Sequence, residues 1–161
     1  ATDQAAKLPA IQHCIKTIEE ITQCEYDTIV DLDATSPLRI IDDIHKSIEM
    51  LENSLDTNNL ITGAPSRRSP YFNLVELNEK GFVRRSKNLD NPIIRRQDSP
   101  KCFDMNASIY LWKRKAFYQA KTVITDETGL FVMPEERSID IDSELDFEIV
   151  KLLMKNKELT S

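Results

Sequence analysis

The chain has 161 residues, a formal net charge of −6, 40% apolar residues and only 3 glycines. This length suits one ordinary domain with its own core, and no apolar run approaches the roughly 20 residues that span a bilayer. Average usage would give about eleven glycines, so the sequence contains no glycine-rich phosphate-binding loop. The three cysteines (Cys14, Cys24 and Cys102) form no CxxC pair, which predicts a reduced, cytoplasmic setting.

Charge is distributed unevenly along the chain. Residues 1–60 carry 4 basic and 12 acidic side chains, residues 61–121 carry 13 and 5, and residues 122–161 carry 4 and 10. The overall balance is acidic and the basic residues are not interleaved with stacking aromatics, which argues against a nucleic-acid partner. We expect instead a pocket for an anionic small molecule, with acidic residues nearby to hold a metal.

The first half of the chain alternates predicted helices and strands. Apolar spacing predicts an amphipathic helix over residues 5–20, a strand over 28–32, a helix whose apolar stripe runs from Ile41 to Leu55, and a strand at 60–62. Ser36 is the predicted N-cap of the second helix, with Pro37 at its first position. Strands separated by amphipathic helices indicate a parallel sheet covered by helices.

The middle of the chain, residues 63–100, shows no helical stripe and contains all three Arg-Arg pairs. Residues 72–77 and 82–83 predict a β-hairpin, with Gly81 at a loop position that favours positive φ. Such an inserted arm would cover a site or reach a partner subunit.

The last third returns to alternating strands and helices. We predict strands at 107–112, 130–133 and 138–141 and a short helix at 113–121. A final helix follows Ser143, which forms a capping box with Asp146. Its predicted inward side chains are Leu145, Ile149, Leu152 and Leu153.

Asp140 and Asp142 are the strongest candidates for a metal site. In the predicted strand they alternate with Ile139 and Ile141, so both carboxylates would share one face. Mg²⁺ takes one or two protein carboxylates and completes its shell with water and phosphate oxygens. The pair also lies where a strand ends and a helix begins, which is where ligands bind in open α/β sheets. The alternative is a solvated strand edge whose acidic residues favour a helix N-terminus.

Residues 95–98 predict a recognition loop, because Arg pairs bidentately with a carboxylate or phosphate. Asn106 and Tyr110 would add neutral hydrogen-bonding groups that read hydroxyls and amides. The alternative for the arginines is ordinary surface charge.

Four blocks of the sequence resemble, in the same order, the acylneuraminate cytidylyltransferases, the CMP-sialic acid synthetase family. The blocks are Leu32–Arg39, Arg95–Asp98 with Pro100, Asn106–Tyr110 and Ser138–Asp146. This family joins CMP from CTP to a nine-carbon sialic-type acid and releases pyrophosphate. Residues 69–73 and 104–106 look most like the branch that handles legionaminic acid. The resemblance implies an α/β fold with a mostly parallel, Rossmann-like nucleotidyltransferase sheet and flanking helices, as one domain over residues 1–161.

The resemblance also implies roles for individual residues. Asp140 and Asp142 would carry Mg²⁺ on the triphosphate. Arg96 and Tyr110 would contact the acyl-sugar, with Arg96 near its carboxylate. Two further residues, Gln97 and Asn106, are placed in the same substrate-binding set.

Two positions depart from the sialic-acid branch. Asp33 stands where that branch has Gln, and Asn73 stands where it has Lys, which argues against N-acetylneuraminate as the substrate. We expect both residues to bind substrate, Asp33 by a hydrogen bond to the sugar or by assisting the metal. Residues 65–91 look like the family's dimerisation arm, whose tip completes the neighbouring subunit's site, so a homodimer is expected.

The resemblance lacks one part of the family pattern. Members begin with a basic, glycine-rich phosphate-binding segment that this sequence does not contain, so we expect a fragment or a form truncated at the N-terminus. Two alternatives stay open: a non-catalytic sugar-binding or dimerisation remnant, and a cytidylyltransferase for pseudaminate, N-acetylneuraminate or Kdo. The sequence does not identify the general base.

Overall fold

The computed structural model describes residues 7–89, 95 and 98–158. The chain divides into two compact units, one formed by residues 1–63 and 105–161 and the other by residues 64–104. In the described part of the chain, no helix has both the length and the apolar character needed to cross a membrane.

The larger unit is a sheet with helices on both faces. Its elements are α1 (Lys7–Thr22), β1 (Thr28–Leu32), α2 (Ile41–Asn53), β2 (Asn59–Pro65), β5 (Phe103–Lys113), α3 (Arg114–Gln119), β6 (Thr128–Val132) and α4 (Glu144–Glu158). The last two residues of β2 and the first two of β5 belong to the other unit. The strand order is β1-β5-β2-β6. β6 is parallel to β2, whereas β5 is antiparallel to β1. The predicted α/β class with a mainly parallel sheet is confirmed.

The alternation of side chains along β5 organises the core. Ile109 and Leu111 point to one face, where they pack with Leu51 of α2, and Tyr110 and Trp112 point to the other. On that second face the buried side chains include Leu8 of α1, Ile29 of β1 and Phe117 of α3. Burial on both faces explains why residues 107–112 read as a continuous apolar strand in the sequence.

Three local predictions are wrong. α2 begins at Ile41 rather than at Pro37, because Asp43 supplies the cap by accepting a hydrogen bond from the Ile40 N–H (3.0 Å). Ser36 is instead buried, and its hydroxyl donates to the Asn106 carbonyl (3.2 Å). Residues 138–141 form no strand. In that segment, Ser138 completes a turn and Ile141 N donates to Thr35 O (3.0 Å).

The third correction concerns α4. Its capping box is confirmed, since Ser143 N donates to Asp146 Oδ2 (2.8 Å) and Asp146 N donates to Ser143 Oγ (3.3 Å). The inward stripe is wrong, because Leu145 is 69% exposed and Leu152 is 60% exposed, whereas Val150 is buried. Helical periodicity identifies side chains that share a face, but it does not say which face is covered.

The smaller unit contains the predicted hairpin. β3 (Val75–Leu77) pairs antiparallel with β4 (Val83–Arg85), with Val75 opposite Arg85. The loop is held by Asn78, whose side-chain oxygen accepts from the N–H groups of Lys80 (3.0 Å) and Phe82 (2.9 Å). Gly81 has a φ of +78°, as the sequence predicts for this position.

Glu19 connects α1 to α3 and makes the fold sensitive to acid. Its carboxylate accepts hydrogen bonds from Arg114 and from the Tyr118 hydroxyl (2.6 Å). These hydrogen bonds lower the pKa of Glu19 from 4.5 to about 2, and the bond from Arg114 has the largest effect. A carboxyl group whose pKa is lower in the folded protein than in the unfolded chain stabilises the folded state at pH values above the unfolded pKa. For Glu19 that stabilisation is lost as the pH falls from 4.5 towards 2.

We therefore expect Tyr118→Phe to destabilise the protein at pH 7 and to have a smaller effect near pH 2, where about half of the Glu19 carboxyl groups are protonated. Urea unfolding of both proteins between pH 2 and pH 7 measures this difference. A stability difference that stays constant across the range would contradict the role of Glu19.

Candidate functional site

Several of the predicted site residues lie at one edge of the sheet. Asp33 directly follows β1, while β2 and β6 end nearby, joined by a hydrogen bond from Met133 N to Gly63 O (2.8 Å). Asn106 lies in the early part of β5, where Thr62 of β2 contacts it. The carboxyl ends of parallel strands meet at a single edge, which is the usual position of ligand sites in open α/β sheets.

Asp33 is held by groups on both of its carboxylate oxygens. Oδ2 lies 2.9 Å from Lys7 Nζ, and Oδ1 accepts hydrogen bonds from Thr35 N (3.1 Å) and Thr35 Oγ1 (3.0 Å). The hydrogen bond from Lys7, followed by that from the Thr35 backbone, lowers the pKa of Asp33 to about 2. Asp33 is therefore a fixed negative charge at neutral pH and a weak base.

Arg39 fixes the turn that follows β1. Its Nη1 atom donates to three carbonyl oxygens, those of Asp33 (2.5 Å), Ser36 (2.9 Å) and Ser108 (3.3 Å). The Ser108 carbonyl also accepts from Asp33 N (3.2 Å). One guanidinium thus ties the end of β1 to β5 and positions the Asp33 backbone.

Asn106 is a buried junction between three segments. Its Oδ1 atom accepts from Thr62 Oγ1 (2.6 Å) and Ser108 N (3.2 Å), and its Nδ2 atom donates to Ser138 Oγ (3.0 Å). The next residue, Ala107, has a φ of +52°, an unfavourable conformation for a residue with a Cβ. Strained backbone of this kind is concentrated at functional sites. The side chain predicted to bind substrate thus also joins β2, β5 and the segment before Asp140.

Tyr110 lies between the core and the charged groups of the site. Its ring stacks on Trp112 at a centroid distance of 5.9 Å, and Lys7 Nζ lies 4.4 Å from its centroid. Burial raises the pKa of Tyr110, Lys7 opposes this, and the charges of Asp33, Asp31 and Asp140 raise it further. The segment with Asp140 also lies near Asp33, because Ile141 N donates to Thr35 O (3.0 Å) and Thr35 Oγ1 donates to Asp33 Oδ1 (3.0 Å).

Asp140 and Asp142 follow a segment that is anchored to α2. Arg137 makes a bidentate ion pair with Asp43, from Nε to Oδ2 (2.9 Å) and from Nη2 to Oδ1 (2.7 Å). Asp43 is 3% exposed, so this pair is desolvated and its geometry is fixed. Arg137 donates these hydrogen bonds to the Asp43 carboxylate, which raises the pKa of Arg137 and keeps the guanidinium charged.

The donor set fits a hard cation such as Mg²⁺. Within the described residues, the Asp140 carboxylate has no hydrogen-bond or ion-pair partner and is half-buried, while Asp142 is exposed. Carboxylate oxygens match the preference of Mg²⁺ for one or two protein ligands beside water and phosphate. The predicted reason for a shared face is wrong, because residues 138–141 form no strand. The described part of the chain holds no group of three or more His, Cys, Asp or Glu side chains placed to bind a metal.

The remaining predicted residues are placed as follows. Asn73 belongs to the smaller unit, is exposed, and accepts a hydrogen bond from Ser69 N through its Oδ1 atom (2.8 Å). Arg96 and Gln97 lie outside the described residues. The structure therefore brings Asp33, Asn106, Tyr110 and Asp140 together in the larger unit.

Three important side chains, Lys7, Arg137 and Arg39, were not singled out from the sequence. Lys7 is 26 positions from Asp33, so local spacing gives no signal for this pair. Arg137 and Asp43 are 94 positions apart and carry no signal in a single sequence. Arg39 lies within the first block that carries the family resemblance, but its contacts are to backbone atoms.

Comparison with solved structures defines the fold class. The chain aligns with 4-diphosphocytidyl-2C-methyl-D-erythritol synthase at a TM-score of 0.61 and 16% identity, covering 92% of this chain and 67% of that one. A CMP:2-keto-3-deoxy-manno-octonic acid synthetase crystallised with CTP aligns at a TM-score of 0.57 and 13% identity, with 96% and 70% coverage. The fold is that of the cytidylyltransferases.

Sequence comparison is more specific. The chain is 48% identical over 160 residues to the post-translational flagellin modification protein B of Campylobacter coli, and 46% identical to the CMP-N,N'-diacetyllegionaminic acid synthase of Campylobacter jejuni. Each alignment covers 99% of this chain and 66% of the relative. An N-acylneuraminate cytidylyltransferase of Streptococcus agalactiae is 26% identical over 147 residues, covering 91% of this chain and 34% of that protein. No family model matches the sequence.

The chain belongs to the acylneuraminate cytidylyltransferase family, also described as CMP-sialic acid synthetase-like. It is more similar to the two Campylobacter relatives than to the streptococcal one, as the sequence blocks indicated. It spans 66% of the length of the two Campylobacter relatives.

Proposed function

We propose that this chain transfers CMP from CTP to a nine-carbon sialic-type acid, with N,N'-diacetyllegionaminic acid as the substrate and pyrophosphate as the second product. The observation that carries this proposal is the 46% identity, over 99% of the chain, to a protein named for that synthesis. The lower identity of 26% to an N-acylneuraminate cytidylyltransferase supports the choice of acid.

The proposed reaction is a single displacement at phosphorus. The anomeric hydroxyl oxygen of the acid attacks the α-phosphorus of CTP, a new P–O bond forms, and the bond from the α-phosphorus to the bridging oxygen of pyrophosphate breaks. The hydroxyl proton is released to a base that neither sequence nor structure assigns. Asp33 is unsuited to that role because its pKa is about 2, far from the operating pH of a good general base.

The residues of the site would bind and orient the two substrates. Asp140 and Asp142 would hold Mg²⁺, which supplies charge neutralisation on the triphosphate when bound. Tyr110 and Asp33 would contact the acid, and we keep Arg96 as the residue proposed to meet its carboxylate. Asn73 and Gln97 stay in the proposed substrate-binding set, and Asn106 would act there from its buried junction.

A turnover assay tests this proposal directly. The chain is incubated with CTP, Mg²⁺ and one acid at a time, and pyrophosphate release is measured with N,N'-diacetyllegionaminic acid, pseudaminate, N-acetylneuraminate or Kdo. We expect kcat/KM to be about 10-fold or more higher for N,N'-diacetyllegionaminic acid, the discrimination that a few specific hydrogen bonds provide. A higher value for another acid would overturn the substrate assignment. Binding of the acid without pyrophosphate release, both by this chain and by the chain joined to the family's glycine-rich segment, would favour the non-catalytic alternative.

We also propose that the hairpin arm contacts a second copy of the chain. Four apolar side chains of the hairpin are 53–69% exposed, namely Val75, Leu77, Phe82 and Val83. Exposed apolar groups concentrated in this way mark interaction surfaces. Sedimentation of the chain and of Phe82→Asp tests this, with a dimer expected for the first and a shift towards monomer for the second. A chain that is monomeric at all concentrations would contradict the proposal.

A further inference from the structure

Lys7 lies at the centre of a charged cluster at the end of β1. Its ammonium nitrogen is 2.9 Å from the Oδ2 atoms of both Asp31 and Asp33 and 4.4 Å from the Tyr110 ring centroid. An ammonium group has three N–H donors. Lys7 donates a hydrogen bond to Asp33 Oδ2 and forms an ion pair with Asp31 Oδ2, which holds the ammonium group over the Tyr110 ring although the Lys7 side chain is 46% exposed.

Lys7 also sets the state of the two carboxylates. Asp31 and Asp33 are two positions apart at the end of β1, and without a cation between them their charges would repel. Burial disfavours the charged form of Lys7, but its hydrogen bonds to Asp31 and Asp33 outweigh this and raise its pKa. Lys7 therefore stays protonated between the two carboxylates.

Asp33 is consequently fixed in direction as well as in charge. Oδ2 faces Lys7 and Oδ1 faces Thr35, yet the side chain remains 26% exposed. A carboxylate offers about four lone-pair positions, and the bonds to Lys7 and to Thr35 N and Oγ1 occupy three of them. An acceptor that is ionised, oriented and still accessible can receive a hydrogen bond from a hydroxyl or amide N–H.

We propose that Lys7 is a positioning residue of the acceptor-sugar site, which acts by holding Asp33 as an oriented hydrogen-bond acceptor for a hydroxyl or amide N–H of the sugar. This inference rests on the proposed function. It assigns Lys7 no direct contact with the substrate, so its effect on sugar binding must pass through Asp33.

A double-mutant cycle tests that dependence. Binding of N,N'-diacetyllegionaminic acid to the chain is measured by calorimetric titration for the parent, Lys7→Met, Asp33→Asn and the double variant. We expect each single variant to bind about 10-fold or more weakly, as for loss of a hydrogen bond to a charged group. The double variant should bind no more weakly than Asp33→Asn alone, because Lys7 has nothing left to position.

Two further variants separate positioning from general effects. Lys16→Met removes a lysine from the exposed face of the same helix and should leave the affinity unchanged. Lys7→Arg keeps the positive charge and should recover most of the affinity. Far-UV circular dichroism verifies that each variant is folded. If Lys7→Met does not fold, the affinity of Lys7→Arg still tests the role of the positive charge.

The outcomes are distinguishable. Unchanged affinity in Lys7→Met or in Asp33→Asn would overturn the role of Lys7 and leave the proposed function intact. The same loss from Lys7→Met in the parent and in the Asp33→Asn background would show that Lys7 does not act through Asp33, and would also overturn the inference. A parent chain that binds none of the acid would contradict the sugar-binding function and, with it, the role given to Lys7.

Discussion

Replacing Asp140 by Asn is expected to reduce the Mg²⁺-dependent turnover of CTP by about 10²-fold or more, which is the order of loss when a stabiliser of developing charge is removed. The physical reason is the state of the Asp140 carboxylate, which is half-buried and has no partner among the described residues. A carboxylate in this position retains its capacity for a cation. Asparagine keeps the shape of the side chain but removes the negative charge that the proposed metal would need.

Pyrophosphate release with saturating acid, measured across a Mg²⁺ titration, provides the test. Asp126→Asn is a matched control, because Asp126 is an exposed aspartate in the loop before β6. We expect the control to retain the parent rate and Asp140→Asn to require much more Mg²⁺. Paramagnetic Mn²⁺ binding gives a readout independent of turnover. Equal Mn²⁺ affinity and equal rates in Asp140→Asn and the parent would remove Asp140 from the metal site.

Replacing Arg137 by Ala is expected to lower the free energy of unfolding by about 3–5 kcal/mol, the usual cost of leaving one member of a buried ion pair without its partner. Asp43 is 3% exposed, so its carboxylate would remain buried after the guanidinium is removed. The hydrogen bond that Asp43 accepts from the Ile40 N–H (3.0 Å) carries no positive charge and would not replace the ion pair with Arg137.

Urea denaturation measures this difference, with Lys46→Ala as the comparison. Lys46 pairs with Asp42 on the exposed surface of α2 (2.7 Å), where such pairs contribute about 0–1 kcal/mol. A second variant, Arg137→Met combined with Asp43→Asn, removes both charges and should recover part of the loss. Equal destabilisation by Arg137→Ala and Lys46→Ala would contradict the view that the Arg137–Asp43 pair is the structural anchor of this region.

Most of the fold was predictable because its elements have clear periodicity. α1, β1, the body of α2 and the hairpin with Gly81 all follow from local spacing and turn chemistry. The errors occur where a distant contact decides the outcome. The start of α2 depends on the cap from Asp43. Residues 138–141 are held by the side-chain hydrogen bonds of Ser138 and by the hydrogen bond from Ile141 N to Thr35 O rather than by a neighbouring strand.

The candidate site was predicted as a set of residues but not as an arrangement. Asp33, Tyr110 and Asp140 were selected from their chemistry and from the resemblance, and the structure places them in one region. The pKa values of Asp33 and Tyr110 depend on Lys7, which is 26 positions from Asp33 in the sequence. A single sequence does not reveal such a pairing, because nothing in local spacing connects a residue of α1 to the end of β1.

The three carbonyl contacts of Arg39 have a consequence for the thermodynamics of ligand binding. A loop that becomes ordered only on binding subtracts its lost conformational entropy from the affinity. Because Arg39 already holds the backbone at Asp33, Ser36 and Ser108, that entropy is lost when the chain folds. A ligand that docks at this turn therefore meets a rigid surface, and its affinity reflects the contacts it makes rather than the ordering of residues 33–39.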